Sequence, residues 1–171
     1  CAAVGCTTAW VRGRAPSAPS VPSGWVDLMA RADQAPSTTL REVSRMGDPA
    51  FLVFTSGTTG MPKASRMSHR RWIGAGFMFG GVCLRLRPSD VLYCPLPLYH
   101  NTALTLCWSS ALRAGATLAV RQQFSASEFW NDCRRHRATV ITYVGEIPNY
   151  LAALPPAPGD RDHSVRKMVG I

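Results

Sequence analysis

The residues best suited to chemistry stand between Thr55 and Lys63. An apolar run, Phe51 to Phe54, stops at Thr55-Ser56-Gly57-Thr58-Thr59-Gly60, and a second short run begins after Met61-Pro62-Lys63. That order predicts strand, loop, strand. Gly57 and Gly60 let the backbone turn through φ > 0 and bring its N–H groups close to a ligand, and the four hydroxyl residues offer donors that suit an anion's oxygens. Lys63 adds a compact positive charge at the loop's far end. A loop of this make-up can hold the phosphates of a nucleotide, although Ser, Thr and Gly also build ordinary turns. It is not the common G-x-x-x-x-G-K-[ST] loop, because the glycines sit three apart and the lysine is followed by Ala64.

The elements around this loop alternate. Ala64 to Met67 continues a sheet, and Ser68 stands where an N-cap would start a helix through His69 to about Leu84. Gly74, Gly76, Gly80 and Gly81 weaken that helix and suit the close approach of a small-residue face to a sheet. A turn at Arg87 to Asp90 leads to a strand, Val91 to Cys94, and then to Pro95-Leu96-Pro97-Leu98-Tyr99-His100. Thr102 to Leu112 reads as an apolar helix that Gly115 stops, and Ala116 to Arg121 as a strand. Ser125 and Glu128 are spaced as a capping box, Ser125 covering the Glu128 N–H and Glu128 reaching back, with Phe129, Trp130 and Cys133 on one side of the helix that follows to about Arg137. Thr139 to Val144 is β-branched and aromatic, a strand ended by Gly145-Glu146; a helix, Ile147 to Leu154, and a last strand within Val165 to Ile171 complete the order. This predicts an α/β layered domain, a largely parallel sheet with flanking helices, and sites at the strands' carboxyl ends. The loop at Thr55, the segment at His100 and the turn at Gly145 each follow a strand.

The run Leu52 to Lys63, LVFTSGTTGMPK, resembles at each position the AMP-binding pattern of the adenylate-forming superfamily, which includes acyl-CoA synthetases, luciferases and peptide-synthetase adenylation domains. The resemblance implies that Thr55, Ser56, Gly57, Thr58, Thr59, Gly60 and Lys63 bind the nucleotide, with Lys63, Thr58 and His100 in the catalytic set. PLPLYH, Pro95 to His100, is similar to the segment that opens into the acyl pocket of fatty acyl-CoA synthetases. There Tyr99 and His100 would gate the pocket near the substrate carboxylate; a histidine satisfied in a buried loop is the plainer alternative. Asn101-Thr102-Ala103 stands where many relatives have Ser-Ala-Gly. His69 resembles a polar residue that follows the loop in the family, and as an isolated histidine it also suits a structural role. Phe124 to Pro156 resembles the fatty acid transport protein and very-long-chain acyl-CoA synthetase branch, where Val144, Gly145 and Glu146 would line the acyl tunnel. Glu146 could equally cap the next helix at its positive end.

The implied reaction uses ATP, Mg²⁺ and coenzyme A to convert a long- or very-long-chain fatty acid to acyl-adenylate and then acyl-CoA. Two alternatives stay open: an adenylating enzyme that passes the acyl group to a carrier protein, and a non-catalytic acyl or nucleotide binding module. No metal ligand is assigned in this chain. By the resemblance, the Mg²⁺-binding glutamate, the ribose-binding aspartate and the lysine of the mobile C-terminal domain lie downstream, so residues 1–171 alone are expected to be inactive.

Length and composition set the frame for these readings. The 171 residues are 46% apolar, enough for one core, and the chain starts at Cys1 and ends within a strand pattern, as a piece cut at both ends would. Residues 1–46 read as a linker-like approach, Pro- and Ser-rich from Arg12 to Gly24 with a helical turn or two at Trp25 to Arg31; residues 47–171 read as a partial AMP-binding domain. The net charge is +9, but 17 of the 19 basic residues are scattered arginines without a nucleic-acid-binding pattern, which argues against a nucleic-acid partner. Six cysteines form no C-x-x-C pair, and the last four sit in apolar runs as buried small hydrophobes of a reducing, cytoplasmic compartment, with peripheral attachment at the inner membrane surface left open. Trp72 to Leu84 is too short to cross a bilayer and Val91 to Leu112 is broken by Pro95 and Pro97, so both read as parts of a folded domain. Oligomeric state is not legible.

Overall fold

The computed structural model describes residues 9–10, 23, 26–35, 43–55 and 63–170; for residues 9, 10, 28, 29 and 55 the description is of the backbone. The chain divides into two compact units, Cys1–Val43 and Ser44–Ile171. In the first, β1 (Ala9–Trp10) pairs in parallel with β2 (Val26–Asp27), and α1 (Leu28–Asp33) follows directly. The Asp27 carboxylate accepts the Ala30 N–H at 3.1 Å, the local bond that starts such a helix. Most of the Pro- and Ser-rich stretch lies outside the described residues.

In the second unit the apolar run forms β3 (Pro49–Thr55), which pairs antiparallel with β4 (Lys63–Ser68) as a separate two-stranded ribbon. The strand-loop-strand expectation holds, but this ribbon is no part of the parallel sheet. That sheet has four strands in the order β6-β5-β7-β8, all parallel: β5 (Val91–Cys94), β6 (Thr117–Val120), β7 (Val140–Tyr143) and β8 (Lys167–Gly170). The helix after β4, α2, is α-helical over His69–Ala75 and π-helical over Gly76–Cys83. α3 is π-helical over Ala103–Trp108 and α-helical over Ser109–Ala114; α4 (Ala126–Arg135) and α5 (Ile147–Ala152) complete the set. The order of elements from Phe51 onward is the one the sequence predicts.

Alternation along the strands decides which helix covers which face. Tyr93 turns to α4, its ring edge-on to Phe129 at 5.3 Å and its hydroxyl donating to Asp132 at 2.8 Å. Thr142 turns the other way and meets Cys107 of α3. α5 packs beside α4, on that face. Leu92, Tyr93, Cys94, Val140 and Ile141 lie between these layers with Phe129 and Cys133, all essentially without solvent contact. The chain therefore leaves β5 toward one face and β7 toward the other. Such a divergence opens a crevice at the carboxyl ends of two neighbouring strands.

Three local expectations need correction. The small face of α2 meets a helix, not a sheet: a Cβ on Gly76 would lie 2.6 Å from the Ser109 carbonyl oxygen, and one on Gly80 2.9 Å from the Ser110 Cα. The glycines thus let two helices approach backbone to backbone. Cys83 is exposed, whereas Cys94, Cys107 and Cys133 are buried as read. Ser125 does accept the Glu128 N–H, at 3.4 Å, but the Glu128 carboxylate is engaged by the Asn131 amide instead of turning back. Gly115 stops α3 in the left-handed conformation, φ 65°, as expected. No helix among the described residues is long and apolar enough to cross a membrane.

Candidate active site

The site begins at the end of the ribbon. Register pairs Phe54 with Ala64 and Thr55 with Lys63, so these two residues close the loop at its base. Ser56, Gly57, Thr58, Thr59 and Gly60 lie outside the described residues. Lys63 stands exposed at the first position of β4.

β3 carries a second surface. Phe51, Leu52, Val53 and Phe54 line a groove of about 570 Å³, completed by Leu98, Tyr99, Leu104 and Trp108. Its end is held by three rings in mutual contact: Phe51 to Trp72 at 5.4 Å, Phe51 to Trp108 at 6.0 Å and Trp72 to Trp108 at 5.5 Å. Tilted and edge-on arrangements of this kind favour contact beyond simple burial. Trp72 also donates its indole N–H to the Leu104 carbonyl at 2.8 Å, which satisfies the one polar atom of that ring. The triad ties β3, α2 and α3 together. Even so, Leu52 and Phe54 remain 61% and 66% exposed. Apolar side chains so open, beside a concave surface, are what a ligand or a further layer of protein covers.

The segment after β5 forms the groove's rim. Its turn is closed by the His100 N–H donating to the Pro97 carbonyl at 2.9 Å, and the His100 carbonyl accepts the Leu104 N–H at 3.0 Å, the first bond of the helix. Tyr99, 82% exposed, reaches the groove. His100 does not line it. Its Nδ1 accepts the Thr102 N–H at 3.2 Å, so the neutral ring carries its proton on Nε2 and presents a donor there.

Val144, Gly145 and Glu146 lie at the carboxyl end of β7, across the crevice from the end of β5 and apart from the groove. Gly145 has φ 47°, which explains glycine at this turn. Glu146 occupies the N-cap position of α5 without capping it through its side chain; its carboxylate accepts from the Asn149 amide at 2.6 Å. The structure thus pairs Thr55 with Lys63 at the end of the ribbon, puts Tyr99 with Phe54 on the groove, and leaves the Gly145 turn apart from the groove at the end of β7. His69 starts α2, its N–H donating to the Asp48 carbonyl at 3.1 Å.

Sequence reasoning missed Leu98, Leu104 and Trp108, and read Phe51 to Phe54 only as a strand. The available signal was the absence of alternation. Four apolar residues in succession leave no polar face for water, and a two-stranded ribbon cannot bury both faces by itself.

Two polar networks lie away from the groove. Asp90 accepts from the Arg87 N–H, the Thr139 hydroxyl and the Arg166 guanidinium. Burial pushes its carboxyl up, but these donors outweigh it and hold the pKa below the usual carboxylate value. Asp132 is likewise raised by burial and lowered further by Arg121 and Tyr93, with a net shift downward. Both join strand ends to neighbouring elements.

Comparison with known proteins gives this geometry a family. The model of the family described as AMP-binding enzyme matches residues 11–170. The medium/long-chain-fatty-acid--CoA ligase FadD6 of Mycobacterium tuberculosis is 51% identical over 146 residues, covering 84% of this chain and 24% of that protein. Long-chain fatty acid transport protein 2 of Rattus norvegicus is 44% identical over 142 residues, covering 81% of this chain and 22% of that one. The chain thus spans about a quarter of the length of these relatives. Among solved structures, ATP-bound MatB of Rhodopseudomonas palustris superposes with a TM-score of 0.71 at 25% identity, over 87% of this chain and 29% of that one. The anthranilate CoA ligase AuaEII superposes with a TM-score of 0.75 at 21% identity, over 96% of this chain and 31% of that one, a likeness of fold. With its parallel sheet, its strand-loop-strand ribbon and a family match across almost its whole length, the chain belongs to the AMP-binding enzyme family.

Proposed function

We propose that this chain carries the nucleotide-phosphate loop and one wall of the acyl site of an AMP-forming ligase, which activates a long- or very-long-chain fatty acid to acyl-adenylate and then acyl-CoA. The observation that carries the reading is continuity along one strand. Phe51 to Phe54 line the apolar groove, and the next residue, Thr55, opens the Ser/Thr/Gly loop. An acyl chain lying in the groove would bring its carboxylate to the end where nucleotide phosphates sit. The relatives named as fatty acid ligase and fatty acid transport protein support this substrate class, and the ATP-bound neighbour supports the nucleotide.

In the first half-reaction a carboxylate oxygen attacks the α-phosphorus of ATP and pyrophosphate leaves. In the second, the thiol of coenzyme A attacks the acyl carbon and AMP leaves. Phosphoryl chemistry of this kind asks the protein mainly for position and charge. Loop N–H groups and hydroxyls hold the phosphates, Lys63 offsets their charge, and Tyr99 with His100 gates the acyl entrance, the His100 Nε2 donor facing a carboxylate. Val144, Gly145 and Glu146 border the crevice on the far side, where Gly145 leaves room. Mg²⁺ would neutralise phosphate charge. Among the described residues no group of three or more His, Cys, Asp or Glu converges. Conversion to the CoA ester would trap fatty acid on the cytoplasmic side, at or near the inner membrane surface, without a pore.

The test uses the longer protein that contains this chain, with fatty-acid-dependent pyrophosphate exchange and acyl-CoA formation as readouts. Thr58→Ala and Lys63→Ala are each expected to lower both by about 10²- to 10³-fold, the usual effect of removing one well-placed donor. Exchange without a CoA ester would point to a carrier-protein acceptor. Full activity in both variants would remove the loop from catalysis and leave a binding module.

A further inference from the structure

The groove and the loop leave one reactive cluster unused. Cys94 is the last residue of β5, and Cys107 lies in the π-helical part of α3; both are fully buried and both are free thiols. Register sets Leu92 against Val140 and Tyr93 against Ile141, which puts Cys94 beside Thr142 on the same sheet face. The Cys107 sulfur lies 2.9 Å from the Thr142 hydroxyl, and the Cys94 thiol donates to the Leu96 carbonyl at 3.4 Å. Both cysteines therefore flank Thr142 on one face of the sheet. Between them in sequence run the turn at Pro97, Tyr99 and His100.

We propose that Cys94 and Cys107 are a redox modification site, oxidised by a hydroperoxide to an intramolecular disulfide that ties the end of β5 to α3 across the Tyr99-His100 segment. This goes beyond the ligase reading and does not depend on it. The two thiols differ in acidity, which sets the order of events: the neighbouring Cys107 side chain holds Cys94 below the ordinary thiol range, while Cys107 is pushed well above it by Cys94 and by burial. The Cys94 thiolate attacks the terminal oxygen of the hydroperoxide. The O–O bond breaks, an alcohol (water, for hydrogen peroxide) departs, and Cys94 becomes a sulfenic acid. Cys107 then loses its proton and its sulfur attacks the Cys94 sulfur; the S–O bond breaks, S–S forms and water leaves. Two thiols supply the two electrons that one peroxide bond takes up. Both thiols are buried, so the oxidation requires local opening of this part of the fold.

The experiment treats the folded, full-length protein with graded hydrogen peroxide, then denatures it, alkylates it and maps its cysteine peptides. The expected result is a linked Cys94–Cys107 peptide pair, short of two hydrogens and restored by a thiol reductant. A Cys83→Ser variant, which lacks the exposed thiol, should keep the link. Cys107→Ser should lose it and accumulate the Cys94 sulfenic acid, trapped by a dimedone probe; Cys94→Ala serves should that variant not fold. Recovery of both Cys94 and Cys107 as free thiols in Cys83→Ser, at peroxide levels that oxidise exposed methionines, would overturn the proposal. So would a link from either cysteine to a different one.

Discussion

The four-stranded sheet and the β3–β4 ribbon are built from the same kinds of residue and treat them in opposite ways. In the sheet, Leu92, Tyr93, Val140 and Ile141 are essentially without solvent contact, because helices cover both faces. In the ribbon only Val53 and Met67 are buried among the described side chains, while Leu52 and Phe54 stand open beside the groove. Apolar surface left in contact with water costs roughly 25 cal/mol per Å² relative to burial. On the function proposed above, a strand that keeps such residues exposed is organised for what it will hold. The sheet supplies stability and the ribbon supplies presentation.

The widest test of this contrast is to remove one side chain from each. Phe129→Ala empties a fully buried position beneath Tyr93 and Phe124 and should lower unfolding stability by about 3–5 kcal/mol, read from urea midpoints. Lys63→Ala should do the reverse, changing stability by no more than about 0.5 kcal/mol, as exposed positions do, while adenylation falls by about 10²- to 10³-fold. If Lys63→Ala unfolded the protein, the division between stability and presentation would be wrong.

A third substitution probes the helix pair that the ribbon rests on. Gly80→Ala places a methyl 2.9 Å from the Ser110 backbone. Forcing the helices apart should cost about 1–3 kcal/mol, against which alanine's better helix propensity returns at most about 1 kcal/mol. A calorimetric melt showing Gly80→Ala more stable than the parent would mean that α2 and α3 do not pack backbone to backbone.

The fourth concerns pH. Asp90 has its pKa below the ordinary unfolded value of about 3.9. Its contribution to stability is therefore complete above that value and is lost as pH falls through the folded pKa. Asp90→Asn should be the less stable protein at pH 7, and its difference from the parent should shrink below about pH 4. A difference that grows in acid would contradict the carboxylate network with Thr139 and Arg166. The smallest effect is expected at Leu52→Ala: a stability change within about 0.5 kcal/mol, with a raised KM for long acyl chains and no change for ATP.

Much of this was legible in the chain. The alternation of runs predicted every element from Phe51 onward, because strands and helices announce themselves by period and by the punctuation of Ser68, Gly115 and Gly145. The loop was read from glycine, hydroxyl and lysine chemistry, which is local, and Ser56 to Gly60 lie outside the described residues. The groove was not legible. Its lining comes from residues 51–54 on one side and 98–108 on the other, and each alone resembles ordinary core. The thiol pair escaped for the same reason, since Cys94 and Cys107 read separately as small buried hydrophobes.

By itself, then, the sequence determined the order and kind of elements and the α/β class, since these follow from propensity and from neighbours within a few residues. Only the tertiary structure decided that the ribbon stands apart from the parallel sheet, that α2 rests its glycines on α3, and that Phe51, Trp72 and Trp108 meet. Those outcomes depend on which faces find each other across long stretches of chain. Packing free energy settles that, and no local signal records it.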